Sequence, residues 1–261
     1  MTIDVRNAAF SYGKGSTVFD GLDFAINSPG VFCLLGPNGC GKTTLLKCIA
    51  GLQKLKSGEI RLQGQSITSL KRNVIASIIG YIPQEHSYSF AYLVSDIVLM
   101  GRAPHLGMFS SPSKKDHAIT VECLRRAGIA HLHNKRFTEI SGGERQMVLI
   151  ARVLAQKPQI MLLDEPTSHL DFRNQTLVLR MIGKLANEGL IVVMTSHVPN
   201  HAITYASHVT LMNQGRLIAM GKPEEVITEK SLNDIYGIDV RIFDVIDPNT
   251  GDLLRFCEPI K

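Results

Sequence analysis

Three short apolar runs with no polar alternation punctuate the chain: residues 31–35 (VFCLL), 160–163 (IMLL) and 190–194 (LIVVM). Runs of this kind predict strands buried on both faces, the condition of a parallel sheet covered by helices. Helix-period stretches lie between them. Over residues 174–188, Leu177, Met181 and Leu185 recur at four-residue spacing, and Gly189 stands where a helix C′ glycine belongs. Residues 144–156 are apolar almost all round and stop short of Pro158, which predicts a buried helix. Residues 2–12 alternate irregularly and predict an edge strand. Strands alternating with helices of this length make the chain α/β, with a mostly parallel sheet and crossover helices.

Two regions break the alternation. From residue 87 to 135 there is helical patterning without buried-strand runs, interrupted by the turn-rich stretch 107–113. This predicts a nested helical subdomain that takes in the buried helix and runs over roughly residues 87–157. From residue 223 the pattern changes to short mixed segments, with a turn signal at Asp247-Pro248-Asn249-Thr250-Gly251. The expected division is a main domain over residues 1–222 and a C-terminal extension over 223–261.

Composition narrows the class. Hydrophobic residues are 44% and charged residues 20% of the chain, enough apolar content to bury a core. No apolar run approaches the roughly 18–20 residues that span a bilayer. The N-terminus lacks the basic start and apolar stretch of a signal peptide, so a cytoplasmic chain is expected. Five scattered cysteines without C-x-x-C spacing predict neither a disulfide framework nor a zinc site. The net charge of +5 is spread along the chain with no basic block, which predicts a solvated surface and no nucleic-acid partner.

Candidate chemistry begins directly after the first buried run. Gly36-Pro37-Asn38-Gly39-Cys40-Gly41-Lys42-Thr43 fits G-x-x-x-x-G-K-[ST] and leads into a helix predicted over residues 44–50. Glycines let consecutive backbone N–H groups converge on phosphate oxygens, and the positive end of the following helix points the same way. Lys42 would bridge the β- and γ-phosphates, and the Thr43 hydroxyl would hold Mg²⁺. The second half of such a site is an acidic residue closing another buried strand, and Asp164-Glu165 follows residues 160–163. Asp164 would reach Mg²⁺, and Glu165 would orient or deprotonate the attacking water. Cys40, beside Lys42 at a helix N-terminus, is expected to have a lowered thiol pKa and to be reachable by maleimides.

Ile140-Ser141-Gly142-Gly143-Glu144-Arg145-Gln146 narrows the choice among phosphate-loop ATPases. It resembles the signature sequence of the ATP-binding subunits of ABC transporters. The likeness extends to Gln84 after a strand, to Ser168-His169-Leu170-Asp171 past Glu165, to His197 closing a strand, and to Tyr12 ahead of the cradle. The resemblance implies a P-loop ATPase core with an N-terminal antiparallel β subdomain and a nested helical subdomain. It implies ATP with Mg²⁺, held by Tyr12, Gly36, Pro37, Asn38, Gly39, Cys40, Gly41, Lys42, Thr43 and Thr44, with Thr43, Gln84 and Asp164 at the metal. Glu165, His197 and Gln84 would be the catalytic set. Taken singly, Tyr12 reads equally as an edge-strand aromatic, His197 as a structural histidine and Gln84 as a turn residue.

Ser141, Gly142 and Gly143 open a second anion-receiving helix N-terminus. The family's use for it is a head-to-tail dimer, in which these residues close on the γ-phosphate bound to the other copy. This chain has Glu144 where the family more often has Gln, and its carboxylate is expected to point away from that phosphate. His169 replaces a more usual small residue. The segment 90–107 and the C-terminal tail resemble the importers of iron chelates, haem, cobalamin and molybdate-type oxyanions. That likeness implies a separate membrane permease, an extracytoplasmic substrate-binding protein and a peripheral position on the cytoplasmic face of the membrane. A soluble accessory ATPase of iron–sulfur cluster assembly is the alternative, because it too is a short single cassette.

Overall fold

In the computed structural model, which describes residues 2–13, 15–84, 91–107 and 110–260, the chain opens with β1 (Ile3–Ser11) and β2 (Thr17–Ile26), paired antiparallel. β3 (Gly30–Leu35) follows, with residues 31–35 all buried, and leads through a loop into α1 (Lys42–Ile49). β4 (Ser57–Leu62) and the short β5 (Gln65–Ser66) complete an antiparallel sheet of order β2-β1-β4-β5. β1 is therefore an interior strand and not the edge strand that its mixed alternation predicts. The register shifts around Asn7, whose φ is 43°, put an extra residue into the strand and scramble the period-two pattern.

The next stretch carries α2 (Arg72–Ile78), β6 (Ile79–Ile82), α3 (Val94–Leu99), a 3₁₀ turn over Met100–His105, α4 (Lys114–Arg126), α5 (Gly142–Ala155), β7 (Ile160–Leu163) and α6 (Phe172–Asn187). Helices α3, α4 and α5 pack against one another. Arg102 locks this packing: its guanidinium donates to Asp116 at 2.9 Å and to the Ala155 carbonyl at 2.7 Å, all buried. Asp116 is also the N3 member of a capping box with Ser113, so one carboxylate serves both the α4 cap and the ion pair. Residues 87–90, 108 and 109, which belong to the expected helical region, lie outside the described residues. The α6 core face is Val178, Leu179, Ile182, Leu185 and Ala186, while Leu177 is exposed. The four-residue spacing of the expected stripe advances 400° per step and walks off the face that a 3.6-residue helix buries.

β8 (Ile191–Ser196) is followed by α7 (Pro199–Tyr205), β9 (His208–Asn213), β10 (Arg216–Gly221), α8 (Pro223–Val226), α9 (Glu229–Tyr236), β11 (Val240–Ile246) and β12 (Leu253–Pro259). The larger sheet has the order β10-β9-β3-β8-β7-β6, with β9 parallel to β3, β6 parallel to β7, and β10 antiparallel at the end. β11 and β12 form a hairpin closed by the turn expected at residues 247–251, where Gly251 N–H donates to the Asp247 carbonyl at 2.8 Å. The chain groups into two units, Met1–Thr68 with Val193–Lys261, and Ser69–Val192. No helix among the described residues is long and apolar enough to cross a membrane.

Candidate functional site

In the first unit, the loop after β3 is pinned at both ends. Gly36 N–H donates to the Ser196 carbonyl at the end of β8, and a Cβ on Gly36 would lie 2.1 Å from the Met212 carbonyl oxygen. Only glycine fits there. Gly41 has φ 104° and stands at the N-cap of α1 with no side chain to cap it, so the first amides of the helix are left to the loop side. Asn38 and Gly39 are exposed at the tip, while Lys42 is buried. Lys42 Nζ donates to the carbonyls of Gly36 at 2.7 Å and Pro37 at 2.9 Å, spanning the loop from within. Tyr12, just past β1, is exposed; it packs edge-on against Phe10 at 4.8 Å, and its hydroxyl lies 3.2 Å from Thr44 Oγ1.

Cys40 departs from expectation. Its side chain turns inward, with Sγ 3.9 Å from Lys42 Nζ and 3.0 Å from where a Gly36 Cβ would stand, and the residue is buried. Burial pushes its thiol up, and the nearby Lys42 charge only partly offsets this. The thiolate-stabilising location is real, but desolvation outweighs it. Cys33 is likewise buried and pushed up to about 12. We therefore expect maleimide to label Cys40 of the native chain no faster than Cys33, and both rapidly in denaturant. Mass-spectrometric mapping that finds Cys40 labelled preferentially in the native chain contradicts this geometry.

His197 follows β8 with an exposed side chain, and its carbonyl accepts a hydrogen bond from Tyr236 of α9 at 3.2 Å. His201, the third residue of α7, is held below the usual imidazole range by burial and then by His197.

In the second unit, Asp164 is buried directly after β7, and its N–H donates to the Ile82 carbonyl at 2.9 Å. That bond aligns the ends of β7 and β6, and two residues past each strand end the side chains meet: Gln84 Nε2 donates to Glu165 Oε2 at 3.1 Å. Glu165 has φ 47°, a left-handed conformation that a non-glycine residue rarely adopts, held by Ser168, whose N–H and hydroxyl both donate to the Glu165 carbonyl. His169 is also left-handed, with φ 62°. Histidine tolerates that region better than most side chains, which accounts for its place in this turn. Asp171 caps α6 through the Asn174 N–H at 2.8 Å.

Ser141 is the N-cap of α5, and here Glu144 also departs from expectation. It turns back, and its Oε2 accepts from both the Ser141 N–H and the Ser141 hydroxyl at 2.8 Å. These bonds hold the Glu144 carboxyl below its usual range. A carboxylate at N3 closes a capping box and faces the positive end of the helix, and both effects draw it in. Gly142 is exposed, but Gly143 is buried, and a Cβ there would lie 2.3 Å from the Asn174 carboxamide. Gly143 thus has a packing reason to be glycine.

The structure joins Lys42 with Gly36, Pro37 and Cys40, Tyr12 with Thr44, Gln84 with Glu165, and Ser141 with Glu144. The phosphate loop and His197 belong to one unit, and Gln84, Ser141, Asp164 and Glu165 to the other. The sequence reading passed over Tyr236, Asn174 and Asn200. Their partners are distant in sequence, and no local pattern marks them.

Residues 19–168 match the family described as ABC transporter. The chain is 38% identical over 240 residues to the hemin import ATP-binding protein HmuV of Streptomyces coelicolor, covering 92% of this chain and 84% of that one. It is 35% identical over 235 residues to the molybdate import ATP-binding protein MolC of Haemophilus influenzae, covering 90% and 87%. A solved inward-facing conformation described as of a metal-chelate type ABC transporter superposes with a TM-score of 0.88 at 32% identity, covering 100% of this chain and 97% of that one.

Proposed function

This chain belongs to the ATP-binding proteins of the ABC transporter family and hydrolyses ATP, and from that premise we propose that it drives an importer as one of a head-to-tail pair. The observation that carries the proposal is the presence of two anion-receiving helix N-termini on one chain: α1 behind the glycine loop and α5 behind Ser141. One nucleotide occupies one of them from its own chain. Pairing by a two-fold axis gives each second cradle a nucleotide from the partner copy.

In this reading residues 1–222 are the ATPase domain and 223–261 an extension. The loop amides of Gly36 to Thr43 and Lys42 take the phosphates, with Thr44 at the head of α1 and Tyr12 under the adenine. Ser141 is committed to Glu144, so the backbone N–H groups of Gly142 and Gly143 carry most of the contact to the partner's γ-phosphate. The donors this reading assigns to Mg²⁺, the Thr43 hydroxyl, the Asp164 carboxylate and the Gln84 amide oxygen, are hard oxygen ligands of the kind it takes. When bound it neutralises phosphate charge. Glu165 accepts the proton of the attacking water, Gln84 holds the Glu165 carboxylate in place, and His197 contacts the γ-phosphate.

The pair works on the cytoplasmic face of a membrane, bound to a separate permease that an extracytoplasmic binding protein serves. The cargo class is a metal chelate, a haem- or cobalamin-like cofactor, or an oxyanion. Relatives for hemin and for molybdate are nearly equally similar to this chain, as expected of a subunit that never touches the cargo. Mixing is the test. Ser141→Arg and Lys42→Ala chains are each expected to be inactive alone, and the mixture to recover a substantial fraction of parental ATPase activity. A mixture as dead as its components, both folded, would contradict pairing.

A further inference from the structure

The segment that carries His197 is held from two directions by the C-terminal extension. Tyr236, the last residue of α9, donates its hydroxyl to the His197 carbonyl at 3.2 Å. Three residues past His197, the Asn200 carboxamide pairs with the backbone of β12: Cys257 N–H donates to Asn200 Oδ1 at 2.8 Å, and Asn200 Nδ2 donates to the Cys257 carbonyl at 3.1 Å. Between them, Val198 N–H donates to Ser196 Oγ at 3.0 Å and closes the turn locally. The His197 side chain is exposed.

We infer that Tyr236 is a positioning residue for His197, and that the extension is thereby part of the ATPase machinery. A hydrogen bond to the His197 carbonyl fixes the 197–198 peptide plane and with it the direction in which the His197 side chain leaves the chain. Burial pushes the Tyr236 phenol up, and the thiols of Cys33, Cys40 and Cys257 lie close enough to add to the effect. Tyr236 thus remains a neutral donor across the working pH range, beside the phosphate loop's own Cys40.

The inference rests on the proposed role of His197 at the γ-phosphate, and the test separates the two. Steady-state ATP hydrolysis is measured for the full-length chain, for Tyr236→Phe, for His197→Ala and for the double variant. The Tyr236→Phe ring still fills its place, and only the donor is lost. Misplacing a group that acts in the transition state lowers kcat, so Tyr236→Phe is expected to lose roughly five- to tenfold in kcat with KM for ATP within about twofold. The double variant is expected to match His197→Ala, because Tyr236 acts through that residue. Parental kcat in Tyr236→Phe, with His197→Ala impaired, overturns the inference alone. An equal further loss in the His197→Ala background also overturns it, because that assigns Tyr236 a general structural role. Parental kcat in His197→Ala removes the reading of His197 itself.

Discussion

Replacing Glu165 with Gln is expected to lower ATP hydrolysis by about two orders of magnitude or more while leaving nucleotide binding near the parental affinity. The substitution changes little besides proton affinity. Its amide oxygen can still accept from Gln84 Nε2, which sits 3.1 Å from the carboxylate, and the left-handed backbone is held by Ser168 without help from the side chain. The phosphate loop lies elsewhere in the chain and keeps its own hydrogen bonds. Single-turnover kinetics with equilibrium nucleotide binding measures both quantities. A Glu165→Gln chain that turns over within a few-fold of the parent would assign the proton transfer to another group.

Lys42→Ala is expected to fail differently, with ATP affinity reduced by about 10²-fold, or roughly 2.7 kcal/mol. Lys42 is buried and donates to the Gly36 and Pro37 carbonyls, so its removal unties the loop and withdraws the cation that the proposed function places at the phosphates. Hydrogen bonds to charged groups contribute about 1.5–3 kcal/mol each, and the two carbonyls lose their donor together. Lys42→Arg is not expected to rescue binding, because a planar fork cannot take the place of a compact ammonium between two carbonyls. Isothermal titration of both variants with ATP decides it; near-parental affinity in either contradicts the geometry described for the loop.

Much of this architecture was legible in the residues. The runs at 31–35, 160–163 and 190–194 became β3, β7 and β8 because each is continuous and apolar but too short for a buried helix, which leaves a strand covered on both faces. The loop before α1 and the acidic pair after β7 were legible for the same reason: their glycines and carboxylates follow strand ends at fixed spacing. What escaped depends on direction and distance. Whether Cys40 faces ligand or core is a matter of one rotamer, and desolvation, which no spacing encodes, outweighed the nearby charge. Glu144 was expected to avoid an anion site, but the nearest positive field was its own helix N-terminus. β1 looked like an edge strand because its bulges break alternation, and its two neighbours come from later in the chain. The Tyr236 and Asn200 contacts join α9 and β12 to the segment after β8, and long-range pairings of that kind leave no local mark.

The claim that two copies enclose their nucleotides between them is tested most directly by the mass of the chain in solution when hydrolysis is blocked. Light scattering on Glu165→Gln with saturating Mg-ATP is predicted to give twice the mass of one chain, reverting to one on removal of nucleotide. The mass of one chain under saturating Mg-ATP, with nucleotide bound, would contradict the account.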